Sequence, residues 1–101
     1  MTVKLVVLYT QPEDPEAFDE HYFDTHLPLV ERIPGLVSAE TGKFSAALDG
    51  GERAFYRYAE LYFTDSEAMG AAFGSPEGQA TSTDYQAIAP PGSRMFVADI
   101  D

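Results

Sequence analysis

Alternation of apolar and polar positions divides the chain into six elements. From Val3 to Thr10 the residues are strand formers and apolar on both alternating sides, with Val3, Leu5, Val7 and Tyr9 on one and Val6 and Leu8 on the other. The period then lengthens: Phe18, Tyr22, Thr25, His26, Leu29 and Ile33 share one stripe, predicting a helix from Pro15 to about Ile33. Asp14 suits its N-cap and Pro15 its first turn, and Pro34-Gly35 closes it. Pro28 lies inside this helix; it lacks an N–H, and its ring clashes with the Asp24 carbonyl, so a bend between His26 and Leu29 is expected.

Leu36 to Leu48 reads as a second strand, Asp49-Gly50-Gly51-Glu52 as a hairpin turn, and Phe55 to Phe63 as an aromatic-rich return strand. Thr64 to Glu67 fits a capping box with Thr64 as the cap, opening a helix from about Asp65 to Phe73. Ser75-Pro76-Glu77 starts another helical stretch reaching Ile88, Ala89-Pro90-Pro91-Gly92 breaks it, and Arg94 to Ile100 is the last strand. The order β-α-β-β-α-β, with its second helix split, is the ferredoxin-like α+β topology: a four-stranded antiparallel sheet with helices on one face, in a single domain over residues 1–101.

Two helices cover one face of such a sheet, yet the first and last strands are apolar on both sides; Phe96, Ala98 and Ile100 alternate with Met95 and Val97. A wet face would alternate cleanly. The second face is therefore expected to be buried against the like sheet of a second copy, making a homodimer.

The 101 residues include 17 acidic and 6 basic ones, a formal net charge of −11. That balance disfavours nucleic acid and anionic membrane surfaces, both of which need clustered Lys and Arg. There is no Cys, so disulfides, thiolate chemistry and Cys-ligated metals are excluded. No segment reads as a signal peptide or membrane span, and a cytoplasmic location is expected. Between Leu5 and Glu31 there are seven acids and no Lys or Arg. Most fall at the helix start or on its outer side, predicting an almost uncharged interior suited to a neutral, apolar ligand rather than an anion.

His26 is the leading candidate for chemistry. It lies on the buried stripe, where a ring nitrogen needs a partner; Tyr9, Tyr58, Glu60 and Tyr62 are the candidates expected to face it from the strands. Its ordinary pKa suits proton transfer near neutrality, while a hydrogen-bonded core histidine is the bland alternative. Glu60 shares a strand face with Tyr56, Tyr58 and Tyr62, which suits either a small aromatic or carbonyl ligand or a tyrosine-rich interface. His21 reads as a solvated residue among carboxylates. It pairs poorly with His26 for a metal, because ligands on one helical face want a spacing of four and these are five apart. No phosphate-binding loop, nucleophile elbow or nucleotide fingerprint occurs, and neither metal nor cofactor is expected.

The stretches Pro15-Glu16-Ala17-Phe18, Tyr22-Phe23-Asp24-Thr25-His26-Leu27-Pro28-Leu29 and Ile33-Pro34-Gly35-Leu36 resemble the first-helix signature of the EthD family. Ala59 to Met69 and Phe73 to Gly78 resemble its later block, so the likeness spans nearly the whole chain. The resemblance implies a dimeric α+β barrel. It also implies a small-molecule protein: a cofactor-free enzyme of the isomerase, cyclase or monooxygenase kind, or alternatively a non-catalytic accessory or binding protein to a P450-type oxidoreductase system. By the motif, His26 is the catalytic position carried over, with Tyr22, Tyr58, Glu60 and Tyr62 as ligand-binding candidates.

Overall fold

The computed structural model describes residues 2–101. Strand β1 (Val3–Tyr9) leads into α1 (Pro15–His21), a π-helical turn (Tyr22–His26) and α2 (Leu27–Glu31); β2 (Ser38–Lys43) and β3 (Arg57–Phe63) come next, then α3 (Ser66–Gly74), α4 (Pro76–Ile88) and β4 (Arg94–Asp99). The strands form one antiparallel sheet in the order β2-β3-β1-β4, the ferredoxin-like arrangement the pattern predicted. Asp14 caps α1 as expected, its carboxylate accepting from the Ala17 amide at 3.1 Å.

Three local expectations shift. The cap of α3 is Asp65 rather than Thr64: its carboxylate accepts from the Ala68 amide at 2.8 Å, a charge-assisted bond at the positive end of the helix dipole that a Thr hydroxyl does not match. The second strand is shorter than predicted. Beyond Lys43 the Phe44 amide still reaches across to the Tyr56 carbonyl, but the ladder stops there, and Leu48 is wholly exposed in the connecting loop. The first helix is interrupted at the π-helical turn, and this interruption shapes the site.

Ser75 joins the last two helices, ending α3 and capping α4 by accepting from the Gly78 amide at 3.0 Å. Gly78 is needed there because α4 presses on the backbone of α3. A Cβ at Gly78 would lie 2.7 Å from the Phe73 Cα and closer still to the Ala72 carbonyl oxygen. Gly78→Ala should therefore destabilise the domain by about 1–3 kcal/mol, the usual penalty of overpacking. A denaturant midpoint unchanged from the parent would contradict this contact.

Register decides the faces. In β1 and β3, Val3, Val7, Tyr9, Arg57, Ala59, Leu61 and Phe63 are buried toward the helices. Lys4, Val6 and Leu8 pair with Tyr62, Glu60 and Tyr58 on the opposite face. There Lys4 Nζ donates to Glu60 at 3.1 Å, and the hydroxyls of Tyr62 and Tyr58 donate to Glu60 and Glu40 at 3.2 and 3.0 Å. The expectation that Tyr58, Glu60 and Tyr62 face His26 is thus corrected: a one-residue alternation sends all three to the side without helices. Tyr56 leaves their face altogether. It lies just before β3 begins, is buried, and donates to Asp19 of α1 at 2.8 Å.

Candidate functional site

Residues 22–26 form the π-helical turn because of Pro28, which lies just beyond them. Pro28 cannot donate, and its ring needs room at the Asp24 carbonyl; the helix gives that room by widening one turn, so that the Leu27 amide donates to Tyr22, five residues back. The bend expected near Pro28 thus takes the form of one extra residue wound into the helix. In a straight α-helix, positions five apart point about 140° away from each other. The wide turn brings His21 and His26 onto a single carboxylate, Asp84 of α4. His21 Nε2 lies 2.8 Å from Oδ1 and His26 Nδ1 lies 2.7 Å from Oδ2. A spacing of five, poor for a common partner on a straight helix, serves one through this turn.

His26 is 4% exposed. Its other nitrogen, Nε2, stands 3.4 Å from the Tyr9 hydroxyl. The Tyr22 ring stacks on the imidazole, with centroids 5.5 Å apart and planes 22° from parallel, and the Tyr9 ring meets Tyr22 edge-on. Beside them opens a cavity of about 230 Å³ between the helices and the sheet. Its walls are mostly apolar, including Leu5, Ala59, Leu61, Phe73 and Met95, with Thr81 and Tyr85 of α4 among the polar ones.

Charge states follow from burial and partners. Burial pushes His26 below the ordinary histidine value; the hydrogen bond and charge of Asp84 oppose this, and His21 adds to it. Burial raises Asp84, but the hydrogen bonds from His21 and His26 more than offset it and hold the carboxyl below its ordinary value. Burial also pushes the Tyr9 phenol well up and the Tyr22 phenol up to about 12. At neutral pH the site thus holds a neutral imidazole against an ionised carboxylate, with intact phenols around them. Such a set can move a proton. Among the described residues no group of three His, Asp or Glu is arranged to hold a metal ion.

Of the residues singled out in the sequence, the structure brings together His26 and Tyr22, with Tyr9 beside them. Asp84 escaped notice because α4 has little apolar content. Its spacing with Thr81 and Ile88, one helical turn on either side, is the signal that places it on the inner face. The expectation of an almost uncharged interior is also corrected. Arg57 is 5% exposed, lies 3.5 Å from Asp19, and sits over the rings of Tyr22 and Phe23 at 5.0 and 4.8 Å. Asp19, one of the seven acids between Leu5 and Glu31, turns in from the first helix to meet Arg57 and Tyr56.

A ferredoxin-like α+β domain whose helix-to-sheet cavity is walled by one buried histidine and its tyrosines defines the class. Residues 10–90 match the EthD domain, and the chain belongs to the EthD family. An uncharacterized 11.0 kDa protein of Rhodococcus erythropolis, from the thcB-thcC intergenic region, is 41% identical over 96 residues, covering 95% of this chain and 92% of that protein. The crystal structure of an EthD family protein from Bacillus halodurans superposes with a TM-score of 0.93 at 39% identity, over the whole of both chains. At 20% identity, the cofactor-independent oxygenase SnoaB of Streptomyces nogalater shares the fold, with a TM-score of 0.71 over 98% of this chain and 92% of that one.

Proposed function

We propose that the chain binds a small, largely apolar organic compound in the cavity beside His26 and transfers a proton on it without a cofactor, as an isomerase, cyclase or monooxygenase-like enzyme would. The observation that carries this reading is the 230 Å³ apolar cavity with a buried imidazole nitrogen and a phenol at its wall. His26 is the acid/base, Tyr9 steadies an enolate or phenolate oxygen, and Tyr22 holds the imidazole plane by stacking. SnoaB, named a cofactor-independent oxygenase, has this fold, which supports a cofactor-free reading by analogy. A cytoplasmic site of action fits a chain without Cys.

The working unit is a homodimer closed through the sheet faces, the dimeric α+β barrel. On the sheet face without helices, Phe96 of the edge strand β4 pairs with Val6 and is 45% exposed, an apolar position that a second sheet would cover. Tyr58, Glu60 and Tyr62 then belong to this interface instead of the His26 cavity. Native mass spectrometry against a metabolite extract tests both claims together. The parent should appear as a dimer carrying a small-molecule adduct, and Ala59→Leu, which fills the cavity from its sheet wall, should appear as a dimer without it. Equal capture by the two proteins, or a bare monomer throughout, defeats the proposal.

A further inference from the structure

We infer that Asp84 is the positioning residue of this site, holding His26 as the tautomer protonated at Nδ1, and that the ligand is a neutral molecule presenting a weakly acidic O–H or C–H to Nε2. The inference rests on the cavity being the proposed ligand site, and deepens that reading by giving the site a direction and a ligand chemistry.

An ionised carboxylate only accepts hydrogen bonds. Asp84 Oδ2 lies 2.7 Å from His26 Nδ1, so the proton of the neutral ring must sit on Nδ1, and Nε2 is left with its lone pair. The carboxylate is not free to turn away. Its other oxygen is engaged by His21 Nε2 at 2.8 Å, and its side chain is only 14% exposed. The two imidazoles hold the carboxylate from both sides, and that grip depends on the π-helical turn, which places both histidines over α4.

The group now facing Nε2 is the Tyr9 hydroxyl, a donor at 3.4 Å, longer than a strong hydrogen bond. A ligand O–H or C–H entering the cavity can take that place. The proton passes to Nε2, the ligand's O–H or C–H bond breaks and its electron pair stays on the ligand; the imidazolium formed is stabilised by Asp84. Tyr9 is then free to donate to the ligand's new anionic oxygen. The proton returns from Nε2 at the end, and no oxidant or other co-reactant is needed. A ligand that arrives already anionic would forfeit the proton transfer, and the apolar walls offer it no cation.

Histidine ¹⁵N NMR on the unliganded parent reads the tautomer directly. His26 should show a protonated Nδ1 and a pyridine-like Nε2, and Asp84→Asn, whose amide can donate to Nδ1, should reverse the pattern. A protonated Nε2 in the parent overturns the assignment, and no variant has to fold for that measurement. The ligand class is tested with phenol and toluene, two probes of like shape of which only phenol carries an acidic proton. The parent should prefer phenol, and Asp84→Asn should weaken phenol on the order of tenfold, the value of one hydrogen bond, while leaving toluene unchanged. Equal loss of both probes would make Asp84 a mere wall of the cavity and overturn its positioning role. If neither probe binds the parent, the ligand-site reading and the ligand class fall together, while the NMR pattern still decides the role of Asp84 by itself.

Discussion

Exchanging His26 for Gln should lower the turnover of any substrate the site converts by about 10²- to 10⁴-fold, the range typical of a lost general acid/base. Glutamine is the informative choice. Its amide can still donate toward Asp84, so packing is disturbed little, yet it supplies no basic lone pair in place of Nε2. Binding of substrate should survive better than its conversion, appearing as a fall in kcat with a smaller change in KM. Unchanged turnover would remove His26 as the acid/base and leave it as an anchor, which is the behaviour of the accessory-protein reading. The parent's pH profile supplies a second readout. Burial holds His26 below 6.5, against the pull of Asp84, and the other ionisable groups around it are His21, Tyr9, Tyr22 and Tyr85. The active base form should therefore persist as pH falls past 6.5, and activity should decline only below it. Stability carries the same sign. The unfolded chain takes up the proton first, so the contribution of the neutral, buried ring is present above pH 6.5 and is lost as pH falls toward the folded-state value.

Phe63→Ala should cost about 3–5 kcal/mol of folding stability. Phe63 is fully buried at the end of β3, paired with Val3 across the sheet and packed edge-on against Phe73 of α3, with ring centroids 5.8 Å apart. It ties the sheet to the α3–α4 layer, and α4 carries Asp84. Domains are stable by only about 5–15 kcal/mol, so the variant should lose on the order of 20 °C in Tm or fail to accumulate. A loss under about 1 kcal/mol in denaturant unfolding would mean that the neighbouring side chains collapse into the space Phe63 leaves.

The order of elements was legible in the sequence because period and punctuation agreed: Asp14-Pro15 opens a helix, Gly and Pro close it, and β-formers alternate between. Boundaries moved where two residues competed for one role, as Thr64 and Asp65 did for a helix cap. The site was half legible. His26 and Tyr22 stand in one helix, where spacing alone puts them on a common face. Tyr9, one of four candidate partners, is the one that reaches His26, because strand register selects it and sends Tyr58, Glu60 and Tyr62 to the other side. Asp84 and Arg57 meet their partners only through tertiary packing, 58 and 38 residues away in the chain, and no local pattern marks a charge that another element will neutralise. The π-helical turn was visible as Pro28 in its cause but not in its form.

That turn also bears on how this segment is compared with other chains. Between Phe18 and Val30 the helix holds one residue more than its two buried faces require, and the surplus loops outward over Phe23, Asp24 and Thr25, all exposed. Superposed on a straight helix of equal span, the segment matches only if a single-residue gap is opened within the helix itself. An ungapped pairing would set His21 or His26 against the wrong partner and hide the kinship of their positions.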